Sequence, residues 1–91
     1  MNKRLVLTIQ GRVQGVGYRY SVQNEARKHG FTGYVANQPD GLVLLVVEGP
    51  EQDLKNFIDW CYNGVRSARV QKVDQTWSEP TREFSDFVIK F

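Results

Sequence analysis

The chain predicts an α+β fold in which two helices cover one face of a mostly antiparallel sheet. Three observations carry that prediction: short stretches of period-2 hydrophobicity, two stretches of helical periodicity, and turn residues punctuating the boundaries. Read in order, they give β-α-β-β-α-β with a short strand added at the end, a split-βαβ plan.

The first strand is written by Leu5, Leu7 and Ile9, which alternate with Arg4, Val6 and Thr8. Gly11 to Gly17 is a glycine-punctuated loop. From Tyr18 to about His29 the pattern is helical, with Tyr18, Val22 and Ala26 on one stripe and Gly30 placed to close the C-terminus. Phe31–Gln38 reads as the second strand. Pro39-Asp40-Gly41 then turns the chain, since proline presets φ and glycine accepts a positive φ. Leu42–Glu48 is an almost unbroken apolar run, suited to a central strand partly covered on both faces, and it forms a hairpin with the strand before it. Gly49-Pro50-Glu51 opens the second helix, where proline is tolerated and an acid favours the positive end of the dipole. Leu54, Phe57, Ile58 and Cys61 then fall at i, i+3, i+4 and i+7, and Gly64 ends the element. Ala68–Trp77 alternates less cleanly, as a bulged strand would, before Glu79-Pro80-Thr81 breaks it. Phe87, Ile89 and Phe91 alternate in a short final strand. The whole is a ferredoxin-like sandwich.

Ninety-one residues make one domain, residues 1–91, with eleven aromatic side chains to fill its core. A net charge of +2 is too small to announce a nucleic-acid partner without a basic stripe. Cys61 is the only cysteine, so no intramolecular disulfide can form, and a lone thiol fits a reducing compartment. No segment approaches the roughly 18 apolar residues of a membrane helix, and the N-terminal apolar run is broken at Thr8 and Gln10 with no cleavage site after it. The expectation is a cytoplasmic monomer with no membrane and no nucleic-acid partner.

Chemistry can sit in the first loop. Gly15 and Gly17 let successive N–H groups turn inward as an anion nest, and the helix that starts there adds its unpaired amides and dipole. Arg19, in the first turn, offers a planar fork suited to phosphate oxygens. On local composition alone, a glycine turn followed by a solvated arginine is the better reading. Three other phosphate signatures fail. There is no Gly-Lys-Ser/Thr; Tyr20 stands where a dinucleotide fingerprint needs its third glycine; and four residues lie between Cys61 and Arg66 where a cysteine phosphatase needs five. Cys61 also lies on an apolar helical stripe and reads as core. His29, the only histidine, reads as a helix-end or solvent residue, Trp60 and Trp77 as packing, and Lys3-Arg4 and Arg27-Lys28 as solvated charges.

Gly11-Arg12-Val13-Gln14-Gly15-Val16-Gly17-Tyr18-Arg19 resembles the first signature of the acylphosphatase family, and Gly33-Tyr34-Val35-Ala36-Asn37 with Pro39-Asp40-Gly41 resembles the second. The element order is similar along essentially the whole chain. The resemblance implies hydrolysis of acyl phosphates without metal or other cofactor. It implies that Gln14, Gly15, Val16, Gly17, Tyr18 and Arg19 cradle the phosphate, that Arg19 binds it directly, and that Asn37 orients the attacking water. It also implies strand order 4-1-3-2 with the terminal strand at an edge. Tyr18 departs from the usual phenylalanine, Tyr34 from tryptophan, and Ala36 from a basic residue, which removes a cation near the site. Two alternatives share the fold: a non-catalytic phosphate- or carbamoyl-phosphate-binding domain, and an RNA-binding module. Against the second, Leu42–Val47 carries no aromatic on which a base could stack.

Overall fold

The computed structural model describes all residues from Met1 to Phe91. Its elements are β1 (Asn2–Arg12), α1 (Tyr18–Lys28), β2 (Thr32–Asn37), β3 (Val43–Pro50), α2 (Glu51–Asn63), β4 (Arg69–Ser78) and β5 (Phe87–Lys90). The five strands form one sheet in the order β4-β1-β3-β2-β5, antiparallel except where β5 runs parallel to β2. Element boundaries shift from the sequence expectation by a residue or two. Phe31 precedes β2, its amide tied back to the Ala26 carbonyl at the end of α1, and Phe91 lies just past β5.

Both helices lie on the face that the alternating apolar residues mark. Leu5, Leu7 and Ile9 of β1, Val43, Leu45 and Val47 of β3, and Val35 of β2 are all fully buried. They pack in one cluster with Tyr18, Val22 and Ala26 of α1 and Leu54, Phe57, Ile58 and Cys61 of α2. The second helix follows its sequence signals: Pro50 is its N-cap in extended conformation, and Glu51 and Asp53 occupy the first turn. The expected bulge is present in β4. Gln10 pairs with Lys72 and Gly11 with Val70, which leaves Gln71 without a partner on β1.

Because β4 and β5 occupy opposite edges, the chain between them must cross the whole sheet. Residues 79–86 do so, and a buried acid, Glu48 on β3, holds them. Its carboxylate accepts from the Thr81 amide at 2.9 Å, the Thr81 hydroxyl at 3.0 Å and the Arg82 amide at 3.0 Å. Arg4 donates to Glu48 at 3.3 Å and to Glu83 at 2.8 Å, and stacks over the Phe84 ring. Arg4 is therefore not the free surface charge its position beside Lys3 suggests. Lys3 itself pairs with Glu79 at 2.6 Å, and Arg27 with Asp86 at 3.0 Å. These partners lie more than fifty residues away in sequence, which is why local composition misses them.

Burial alone would raise the pKa of Glu48, but the amides of Thr81 and Arg82, the Thr81 hydroxyl and Arg4 outweigh it and hold the carboxyl below its ordinary value. A depressed native pKa stabilises the fold above the unfolded-state pKa, and that stability is lost as pH falls through the native value. Glu48→Gln is expected to cost about 1–3 kcal/mol at pH 7. Urea midpoints measured between pH 7 and pH 3 should decline less steeply for the variant than for the parent.

Candidate active site

The end of β1 carries the loop that the sequence marks. Gly15 and Gly17 adopt φ of 76° and 78°, the left-handed region. A Cβ built at either would meet nothing within 4 Å, so backbone conformation rather than crowding calls for glycine. Gly17 caps α1, and no acid occupies the helix's first turn. The first helical amide to find an acceptor is that of Ser21, 3.2 Å from the Gly17 carbonyl. The amides before it, from Gly15 to Tyr20, take no protein acceptor, and Val13, Gly15, Gly17, Tyr18, Arg19 and Tyr20 line a small cleft of about 100 Å³. Unpaired N–H groups at a helix start favour a bound anion.

The six residues expected to cradle phosphate divide by role. Gln14 turns its amide to the hairpin, donating to the Gln38 and Leu42 carbonyls at 2.9 Å each. Its side chain ties the loop to the β2–β3 turn and leaves only its backbone to an anion. Tyr18 points into the core, fully buried, with its hydroxyl donating to the Cys61 carbonyl at 2.8 Å. That carbonyl follows the Trp60 carbonyl, which takes the closing Gly64 amide, so the phenol satisfies an acceptor left over at the end of α2. Val16 is half buried, and its carbonyl accepts from the Ser67 hydroxyl at 2.7 Å. Gly15 and Gly17 supply backbone, and Arg19 is the one member whose side chain offers charge.

Arg19 is partly buried and has no carboxylate partner. Its guanidinium carbon sits 5.0 Å from the centroid of the Phe91 ring, a cation–π contact. The parallel pairing of β5 with β2 carries Phe91 to this end of the sheet. Neither Ser67 nor Phe91 is singled out by sequence; Phe91 shows only as the last beat of an alternation.

Asn37 ends β2, opposite Val43. It precedes Gln38, whose carbonyl receives the Gln14 amide, so the tether joins the loop to the residue after the asparagine, and Asn37 itself does not line the cleft. Its Oδ1 is the one buried side-chain polar atom without a hydrogen-bond partner. An unmet acceptor in this position is unusual and asks for a donor from outside the protein. Other candidates fall away. Burial pushes the Cys61 thiol up to about 12, so it stays protonated. His29 lies at the far end of α1, bonded to Glu25 at 3.1 Å and stacked on Phe31. Lys90 stands opposite Ala36 on β5, but its ammonium lies 3.9 Å over the Tyr34 ring.

The family model described as "Acylphosphatase" matches residues 5–89. The chain belongs to the acylphosphatase family. It is 45% identical over 89 residues to an acylphosphatase of Caldanaerobacter subterraneus, covering 98% of this chain and 99% of that one. An acylphosphatase of Thermococcus kodakarensis is 48% identical, with 85% of each chain covered. Among solved structures, the Bacillus subtilis acylphosphatase superposes with a TM-score of 0.93 at 37% identity, covering 98% of this chain and 99% of that one. Full-length HypF, solved in a phosphate- and nucleotide-bound form, matches with a TM-score of 0.89 at 33% identity; the match spans this whole chain but only 12% of HypF. As in the acylphosphatases, the fold is α+β with both helices on one face, and no helix is long and apolar enough to cross a membrane.

Proposed function

We propose that this acylphosphatase cleaves the carboxyl–phosphate bond with Arg19 and the loop amides as the phosphate clamp and Asn37 as the residue that positions water. One observation carries the assignment: the buried, unpartnered Oδ1 of Asn37, one residue before the point where the Gln14 tether joins the loop of free amides to the hairpin. A water there donates one hydrogen to Oδ1 and can accept one from the amide nitrogen's side, so its remaining lone pair is directed rather than consumed.

The reaction needs little more. Cleavage at phosphorus releases a carboxylate, whose conjugate acid has a pKa of about 4, as for a glutamate side chain. It leaves as an anion, so no general acid is required, and the attacking water passes a proton to a phosphoryl oxygen, its own oxygen remaining on the inorganic phosphate released. What remains is to offset charge on the phosphoryl oxygens and to align the nucleophile opposite the leaving group. A guanidinium fork and oriented amides do the first; a neutral carboxamide does the second. The high pKa of buried Cys61 and the remote His29 leave no rival nucleophile or base at the loop.

The same reading makes the chain a cytoplasmic monomer that works without nucleic acid. Its support is the single buried thiol and a sheet face whose aromatic, Tyr34, is occupied by Phe84 and Lys90.

The test compares benzoyl phosphate with glycerol 2-phosphate on the purified chain, with and without EDTA. Benzoyl phosphate should turn over at least about a hundredfold faster, because an alkoxide leaving group requires a proton that no residue here supplies. Chelator should leave the rate unchanged. Equal rates on the two compounds, or loss of activity in EDTA, would defeat the mechanism.

A further inference from the structure

The clamp reads the phosphate and says nothing of the acyl group, yet the charges next to it do. The chain carries 12 lysines and arginines. Lys3, Arg4, Arg27, Lys28, Lys55 and Lys72 are in ion pairs, and Lys90 lies over a tyrosine. The cations left without a carboxylate are all arginines: Arg12, Arg19, Arg66, Arg69 and Arg82. All but Arg82 lie at the end of the sheet that carries the phosphate loop. Arg12 and Arg69 are direct register partners across β1 and β4, an unfavourable pairing of like charges.

Arg66 and Arg69 line a surface hollow of about 570 Å³ together with Tyr62, Asn63 and Gln71, and no acid contributes to its wall. Arg12 belongs instead to a neighbouring hollow that Asp40 shares, so its charge has an opposite nearby. One hydrogen bond ties the segment that bears the two arginines to the phosphate loop: Ser67, which follows Arg66 in the chain, donates to the Val16 carbonyl at 2.7 Å. The β4 bulge adds to the first hollow, since it leaves Gln71 without a partner on β1.

We propose that this hollow receives a second negatively charged group, a carboxylate or a phosphate, borne by the acyl part of the substrate. The favoured substrates are then acyl phosphates with a distal anion, and Arg66 and Arg69 determine that specificity. Two guanidiniums with no internal acid to satisfy them form charge-assisted bonds with such a group, and the like-charge strain between Arg12 and Arg69 is relieved when it binds. The proposal rests on the hydrolytic reading above and concerns only the selection of the acyl group.

The experiment measures kcat/KM for succinyl phosphate, which carries a distal carboxylate, and for benzoyl phosphate, which carries none. The parent should favour succinyl phosphate, and the preference should shrink as salt is raised from 20 to about 300 mM. Arg66→Gln/Arg69→Gln should lower kcat/KM for succinyl phosphate about tenfold more than for benzoyl phosphate, mainly through KM. Arg66→Lys/Arg69→Lys should restore part of the preference, since charge is kept and only the fork is lost. Both residues are exposed, and benzoyl phosphate turnover reports that each variant is folded. A parent without preference, or a double variant in which both substrates fall together, overturns the specificity role while leaving the hydrolytic reading intact. A parent that cleaves neither substrate removes the hydrolytic reading and this proposal with it.

Discussion

Arg19→Ala is expected to lower kcat/KM for benzoyl phosphate about a thousandfold or more, as the loss of an arginine that faces transferring phosphoryl oxygens does elsewhere. The expectation follows from how singular the residue is. It is the one residue from Gln14 to Arg19 with a charged side chain, no acid pairs with it, and unpaired backbone amides belong to the same cleft. Since the ground-state phosphate already carries negative charge, the substitution should weaken binding as well as turnover. The inhibition constant of inorganic phosphate should rise about tenfold to a hundredfold. Arg19→Lys separates charge from shape: a point charge retains part of the binding, but it cannot grip two oxygens in a plane. A lysine variant with parental kcat would show that the fork plays no part.

Asn37→Ala should produce a different signature, a fall in kcat of about 10²–10³-fold with the inhibition constant of phosphate nearly unchanged. The carboxamide's Oδ1 is satisfied by no group of the protein, so its removal leaves no protein donor unpaired and should not destabilise the fold. It removes the acceptor that orients water, an interaction that matters at the transition state. Thermal unfolding of the variant should match the parent within a few degrees. If kcat stays at the parental value while the protein remains folded, the water is positioned by something else.

The two substitutions dissect features that the sequence announces in unequal measure. The glycine pair is legible because the backbone there takes a positive φ, whereas Arg19 and Asn37 are expected at the site only because two short stretches resemble the family's signatures. The elements are legible too, because Leu5-Leu7-Ile9 and Leu54-Phe57-Ile58-Cys61 declare their own periods, and the strand order that the family resemblance implies agrees with the pairing found. What local pattern could not show is which groups the fold brings together from afar. Gln14 reads as part of the phosphate cradle, but nothing local shows that its side-chain amide is taken by the hairpin carbonyls at Gln38 and Leu42. Tyr18 reads as a departure of little consequence, yet its hydroxyl completes the C-terminus of the other helix. Arg4 reads as solvated until the 79–86 crossing brings Glu83 and Phe84 onto it. Phe91 meets Arg19 only because a strand from the far end of the chain joins the sheet in parallel. Each of these contacts spans more than twenty residues, beyond the range in which side-chain periodicity carries information.

The interior position of β1 in the sheet has a consequence for biosynthesis. The strand made first is flanked by two that come later: Asn2 pairs with Pro50, and Arg4 with Ser78. A ribosome delivering residues in order therefore releases Leu5, Leu7 and Ile9 long before either neighbour exists. Pairings this distant in the chain make for slow folding, and a nascent chain with an unpaired apolar strand is open to self-association. The hazard for this small enzyme lies in the interval of its synthesis, when this interior strand is still an exposed ribbon.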